Sequence, residues 1–334
     1  MLKYAIIGFG SLGKFHFGKT AELMKRVEDI KLVALCDVNE KAFITQSELN
    51  LGSNEVDLNL SQYKLYSCVE ELLENEDLDF VMTALPTYIH EEIAVKVMKK
   101  GIHVFSEKPM ALTLEQSQNM INVSKENNVK LMIGQCLRYW SEYVIAKDLI
   151  DSKKYGKVLY AYVARESATP KTSWQDWMRD EKKSGGAAVD LHVHDVDFIN
   201  WAFGKPNAVT SRAVHYNTKF DTITTTYDYD DMYVNAIGSW GFHNEFPFKM
   251  YYLIRFENAT VEARQGCVMV YTDTEKYEID LNWTDPYVNE IVDFVDCIRN
   301  DKESMINPPE SSKLSIEIAL AEKESANRKE TVIL

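Results

Sequence analysis

Over the first third of the chain, short unbroken apolar runs alternate with amphipathic segments. Tyr4–Ile7, Leu32–Cys36, Phe80–Ala84, His103–Phe105 and Lys130–Ile133 read as strands. They show no polar alternation, which suits strands buried on both faces of a parallel sheet. Between them, Ile93, Ala94, Val97 and Met98 recur at helical spacing within Glu91–Lys100, and Gly101 ends that helix as a C-terminal cap. Strand and helix in alternation imply a doubly wound α/β domain.

After about Gln135 the pattern changes period. Lys157–Arg165, Asn207–Tyr216, Thr222–Trp240, Lys249–Glu257, Thr260–Arg264 and Val268–Asp280 alternate polar and apolar positions and are rich in Tyr and Thr. They predict one large, mostly antiparallel sheet with one face partly polar. Two helical patterns follow, Tyr287–Asn300 and Lys313–Arg328, broken by Pro308-Pro309. The expected organisation is an α/β domain over residues 1–135 and an α+β domain over 136–334.

Charge and cysteine narrow the function classes. The net charge is −14, from 37 basic and 51 acidic residues. No basic run exceeds a Lys-Lys pair, which argues against nucleic acid and anionic membranes as partners. Cys36, Cys68, Cys136, Cys267 and Cys297 are odd in number and form no C-x-x-C pair, so reduced thiols and no structural zinc are expected. The Tyr4–Ile7 run ends at Gly8, too short for a signal-peptide core, and no stretch of ~18 apolar residues occurs. A cytoplasmic protein is expected.

Gly8-Phe9-Gly10-Ser11-Leu12-Gly13 follows the first strand and opens a helix pattern running to about Arg26. In that context G-x-G-x-x-G is a dinucleotide fingerprint. The first glycine permits the turn, the second admits a pyrophosphate to the backbone, and the third lets helix and strand pack closely. Asp37 ends the second strand, where a carboxylate holds the adenosine ribose hydroxyls and repels the extra phosphate of NADP. NAD is therefore expected over NADP. Ligands in open α/β sheets sit outside the carboxyl ends of the strands, which draws in Thr83, Pro86, Thr87 and His90. His16, on the first helix, is expected to cap or pack.

Ser106-Glu107-Lys108-Pro109 follows the next strand at the same edge. A Glu-Lys pair is ordinarily a solvated surface pair. After a buried strand, Lys108 is instead placed to hydrogen-bond a substrate hydroxyl and stabilise developing alkoxide charge. Further on, Gly185-Gly186 leads to Asp190, His192 and His194. On a regular helix Asp190 and His194 share a face, and a carboxylate beside an imidazole suits a general base. His192 would then point away and its loss would be mild. The two histidines at i, i+2 do not converge on a metal, and none is expected. Arg138, Tyr139, Trp174 and Trp177 offer polar and aromatic groups for a substrate, and His192 an added imidazole. Arg165 reads equally as a surface arginine or a ligand contact.

With these residues in view, the chain resembles the Gfo/Idh/MocA oxidoreductases, the glucose-fructose oxidoreductase and inositol dehydrogenase group. The resemblance rests on Gly8–Gly13, Asp37, Thr83–His90, Glu107-Lys108-Pro109, Arg138 and the Gly185–His194 block with Asp197. It implies a Rossmann domain followed by an open-faced sheet that often mediates dimers or tetramers. It also implies NAD(P)-linked oxidation of a sugar, cyclitol or related hydroxyl compound. By the family pattern Lys108, Asp190 and His194 form the catalytic trio, and Glu107 and Lys108 also border the cofactor. His192 departs from the glycine that many members carry there. Two other readings stay open, an NAD-dependent glycosidase of the same family and a non-catalytic NAD- or sugar-sensing regulator.

Overall fold

The computed structural model describes residues 1–45, 59–171 and 173–334, which divide into two compact units. The first contains β1 (Leu2–Ile7), α1 (Ser11–Arg26), β2 (Ile30–Cys36), β3 (Lys64–Tyr66), α2 (Val69–Asn75), β4 (Phe80–Thr83), α3 (His90–Met98), β5 (His103–Glu107), α4 (Leu114–Glu126) and β6 (Leu131–Gly134). The six strands are all parallel, in the order β3-β2-β1-β4-β5-β6. This is the doubly wound order of dinucleotide-binding domains, with its reversal between β1 and β4. β3 and α2 went unread in the sequence. β3 has three residues, none fully buried, too few to show a period.

The second unit follows with α5 (Ser141–Asp151), β7 (Val158–Ala168), α6 (Glu181–Ser184), α7 (Ala187–Asp190), α8 (Val193–Phe203), β8 (Ala208–Val214), β9 (Thr222–Asp228), β10 (Tyr233–Phe242), β11 (Lys249–Phe256), β12 (Thr260–Arg264), β13 (Cys267–Tyr271) and β14 (Lys276–Glu278). After them come α9 (Pro286–Arg299), α10 (Pro309–Arg328) and β15 (Val332–Ile333). Nine strands form one sheet, ordered β14-β13-β12-β11-β7-β10-β9-β8-β15. Within it, among the described residues, only β7 and β10 pair in parallel. The run Thr222–Trp240, read as one strand, turns back between β9 and β10, and Val268–Asp280 divides into β13 and β14. On the covered face Val163, Tyr252 and Val234 join Phe198 and Ile199 of α8 and Ile318 of α10 in one core.

The chain does not keep 136–334 in one unit. Tyr287–Glu310 belongs with the first. The reason is the apolar face of α9. Val288, Ile291, Phe294 and Val295 share a core with Tyr4, Ile6, Phe80 and Phe105. The Phe294 ring lies 5.6 Å from Phe80 and 5.9 Å from Phe105. Buried aromatic area of this kind outweighs proximity along the chain.

Candidate active site

In the first unit the predicted cofactor residues gather at one edge. Gly8 has φ +91°, and a Cβ there would lie 2.3 Å from the Ala84 carbonyl oxygen. A Cβ on Gly13 would lie 1.9 Å from the Gly8 carbonyl oxygen. Both glycines are thus demanded by backbone approach. Gly10 is different: nothing lies within 4 Å of its Cβ position, so it borders open space. It precedes α1, and Ser11, Leu12 and Gly13 form the helix's first turn. The turn is held from the side by Asp37. Its carboxylate accepts the Phe9 and Asn39 amide hydrogens, each at 2.7 Å. Lys14 is buried beside this turn. Burial pushes its ammonium pKa down, and the Asp37 charge opposes that shift.

Thr83, ending β4, and Thr87 are buried, and neither hydroxyl has a partner among the described residues. Two orphaned hydroxyls beside a glycine turn open at Gly10 fit a polar dinucleotide. Pro86 is half-buried and precedes the short turn Thr87–Ile89. His90, expected to border the cofactor, is buried. Its Nδ1 and Nε2 lie 2.8 Å from the Pro109 and Leu85 carbonyls. Burial lowers its pKa, while the two carbonyl contacts pull the other way. His90 therefore ties the β4 loop to the β5 loop, and its ring nitrogens are already engaged.

β5 delivers Glu107 buried and Lys108 half-buried at its carboxyl end. Glu107 Oε1 is 2.6 Å from His16 Nε2, and Oε2 accepts the Lys108 amide hydrogen at 3.1 Å. A Cβ on Gly134 would stand 3.2 Å from the same carboxylate. Glu107 is thus an internal brace between the first helix and the lysine's peptide. His16 packs, as expected, but its partner was not legible in the sequence.

In the second unit the Gly185–His194 segment is not one regular helix. The His192 amide reaches back to the Ala187 carbonyl, and the Asp195 amide reaches only to His192. A wide turn followed by a tight one shifts the phase between α7 and α8. Asp190 ends α7, and His194 sits half-buried in the first turn of α8 with Nδ1 3.9 Å from Cys136 Sγ.

His192 corrects the expectation of an outward, dispensable ring. It is fully buried, with Nδ1 3.2 Å from Asp195 Oδ2, and Nε2 3.3 Å from the Tyr227 hydroxyl and 3.8 Å from Glu322 Oε2. Space for the ring exists because residue 238 is glycine: a Cβ there would fall 2.5 Å from His192 atoms. Burial lowers the His192 pKa, but Glu322 and Asp195 outweigh it and the net shift is upward. Burial raises Glu322 to about 7 against the opposing pull of His192. Arg165 completes the group and is no surface arginine. It is buried, with Nε 3.2 Å from both Asp195 oxygens.

Arg138, expected at the substrate, is buried in a two-pronged pair with Asp197. Nε and Nη2 each donate at 2.8 Å, and Nη2 also donates to Ser311 Oγ at 2.7 Å. A buried guanidinium is stable only when so matched, which commits Arg138 to the frame of α8. Tyr139 is buried. Trp174 is exposed and Trp177 half-buried, on the segment Trp174–Arg179 before α6.

Two family models match. "Oxidoreductase family, NAD-binding Rossmann fold" spans residues 2–135, and "GFO/IDH/MocA C-terminal domain" spans 143–279. The chain belongs to the GFO/IDH/MocA oxidoreductase family. It is similar to a 2,7-anhydro-N-acetylneuraminate hydratase of Mediterraneibacter gnavus, 30% identical over 251 residues, 71% of this chain and 61% of that protein. It is also similar to the scyllo-inositol 2-dehydrogenase (NAD(+)) of Bacillus subtilis, 23% identical over 96% of this chain and 92% of that one. A levoglucosan dehydrogenase solved with NADH and levoglucosan shares the fold at TM-score 0.84 and 17% identity, covering 99% of each chain. The chain spans between 52% and 61% of the length of the first curated relatives it matches. Among the described residues no helix is long and apolar enough to cross a membrane.

Proposed function

We propose that the chain oxidises a hydroxyl group of a sugar, cyclitol or related polyol, or reduces the corresponding carbonyl, with NAD as cofactor. The observation that carries this reading is the shared edge of one parallel sheet. The Gly8–Gly13 turn, Asp37, the orphaned Thr83 and Thr87 hydroxyls and Lys108 all lie at the carboxyl ends of its strands. When bound, the nicotinamide supplies a two-electron acceptor. Gly8–Gly13 and the first turn of α1 bind the pyrophosphate, and Asp37 takes the ribose hydroxyls.

Lys108 donates to the reacting oxygen and stabilises negative charge on it. His194 takes the hydroxyl proton, and Asp190, the carboxylate of the family pattern, would favour the imidazolium that results. The inositol dehydrogenase relative supports a ring polyol as substrate. The hydratase relative favours a second reading, in which the net reaction is hydration without net reduction of nicotinamide. A panel of sugars, cyclitols and sugar acids, assayed with NAD by absorbance at the reduced-nicotinamide band, separates them. Steady accumulation of NADH supports the dehydrogenase. Product formation without NADH supports the hydratase, and binding without turnover supports a regulator.

A further inference from the structure

A concavity lies wholly within the second unit. It encloses about 360 Å³ and is lined in part by Thr169, Lys171, Arg179, Asn217, His243 and Asn244. Among the described residues no Asp or Glu lines it. The chain carries 51 acidic side chains against 37 lysines and arginines, so a cavity lined by Lys171, Arg179 and a histidine with no acid among its described lining runs against its composition. Among the described residues, Lys171, Arg179 and His243 have no carboxylate or other side-chain partner. Elsewhere lysines and arginines are often paired, as in Lys157–Asp231, Lys205–Glu317 and Lys323–Glu181.

The floor of the cavity is tied together by hydrogen bonds. Thr169 Oγ1 donates to the carbonyl of buried Trp240 at 2.8 Å, and Asn217 Nδ2 donates to Thr169 Oγ1 at 3.4 Å. The Trp240 indole N–H donates to Thr218 at 2.9 Å, fixing the turn that carries Asn217. On the far wall Phe242 stacks on Phe246, ring centres 4.2 Å apart, and closes the turn that carries His243 and Asn244.

The cavity also borders the segment that leads to Asp190. Ser184 Oγ donates to the Met178 carbonyl at 2.8 Å and accepts the Gly186 amide hydrogen at 3.0 Å, joining Arg179's neighbour to the start of α7. Gly186 in turn backs onto the Lys219 carbonyl, where a Cβ would lie 2.4 Å away.

We propose that this cavity binds the anionic group, carboxylate or phosphate, of the substrate, so that the enzyme acts on an acidic rather than a neutral polyol. The proposal rests on the oxidoreductase reading for the identity of the ligand as substrate. Arg179 presents a planar fork of donors that matches a carboxylate or phosphate, and Lys171 adds a point charge. His243, Asn217 and Asn244 offer donors in any protonation state. With a net charge of −14, long-range attraction of an anion is not available. Recognition must come from groups within about one Debye length, ~8 Å at physiological salt.

The test compares a neutral hexose, its uronic acid and its 6-phosphate, each with NAD, on the full chain and on Arg179→Ala, Lys171→Ala and Arg179→Lys. These side chains are exposed, so the variants keep the fold. The proposal expects one acidic form to exceed the neutral hexose at least tenfold in kcat/KM. Arg179→Ala should raise its KM at least tenfold with kcat and NAD affinity nearly unchanged, and Arg179→Lys should recover part of the loss. Preference for the uronic acid over the phosphate, or the reverse, identifies the anion. Equal use of neutral and acidic forms, with no KM change in either alanine variant, overturns the proposal.

Calorimetric binding of the uronate and the sugar phosphate is measured in parallel, without NAD. If no sugar reduces NAD but an anion binds wild type and not Arg179→Ala, the oxidoreductase reading falls and the anion site stands. If neither anion binds by calorimetry and no acidic form is preferred, the anion site falls.

Discussion

His192 Nδ1 lies 3.2 Å from Asp195 Oδ2, and neither side chain reaches solvent. His194, two residues along the chain from His192, is half-buried in the first turn of α8, which begins just after His192. We propose separate duties for these neighbouring imidazoles, proton transfer for His194 and buried pairing for His192. His194→Ala is expected to lower turnover ~10²–10⁴-fold, the usual cost of a lost general base, with NAD affinity and Tm nearly unchanged. His192→Ala is expected to act on stability. It leaves Asp195 and Glu322 buried without their shared partner, at a cost of ~3–5 kcal/mol. Turnover, calorimetric NAD titration and thermal melts on both variants check the division. Equal melting temperatures for the two would refute it.

Glu322 gives the fold a pH dependence. Burial holds its pKa at about 7, above the ordinary 4.5. The groups facing it are His192, Tyr227 and Asp195, with Arg165 bound to Asp195. A carboxyl with a raised native pKa binds its proton more tightly folded than unfolded. Its contribution is complete below 4.5 and is lost as pH rises through about 7. His192, also raised above its ordinary 6.5, loses its contribution over the upper part of that range and beyond. Melting temperature should therefore fall from pH 5 to pH 8. Glu322→Gln should flatten the lower part of that slope. A wild-type profile that climbs over the same range contradicts the assignment.

Asp37 has two tasks. We propose that its carboxylate repels a 2′-phosphate; it also accepts the Phe9 amide hydrogen of the glycine turn at 2.7 Å. Asp37→Ala should therefore narrow the preference for NAD over NADP and weaken both, because the turn loses its brace. Asp37→Asn keeps an acceptor and should narrow the preference with less loss of NAD affinity. Titration of both cofactors against the three proteins decides this, and a wild type that prefers NADP would sink it.

The open face of the large sheet is neither core nor ordinary surface. Tyr160 and Tyr233 lie 5.1 Å apart and Tyr162 and Tyr251 5.5 Å, centre to centre, beside half-buried Ile237 and Leu253. We propose a homodimer or homotetramer with two-fold symmetry built through this face. Light scattering at micromolar concentration should return a multiple of 38.4 kDa, and Leu253→Glu should reduce it to the single chain. A wild-type protein that scatters as one chain rules the interface out.

Much of this architecture was legible from period alone. Unbroken apolar runs such as Tyr4–Ile7 marked strands covered on both sides. The G-x-G-x-x-G turn was readable from its spacing; Gly13 answers to the Gly8 carbonyl within the turn, whereas Gly8 answers to Ala84, just after β4. Asp37 and Lys108 were placed by a topological rule, since strand ends in an open parallel sheet share one edge. What the linear pattern could not reveal were partners far apart in the chain. Arg138 finds Asp197, His16 finds Glu107, and His192 finds Glu322. A buried charge must be matched by whatever the fold brings within about 4 Å, and sequence spacing carries no trace of that distance. The same holds for α9, whose apolar face belongs with Phe80 and Phe105, strands formed some two hundred residues earlier. Local physics specified the elements and the spacing of the glycine turn. Desolvation, which acts only once the chain has closed around a side chain, decided which polar residues remained for chemistry and which were consumed in holding the frame.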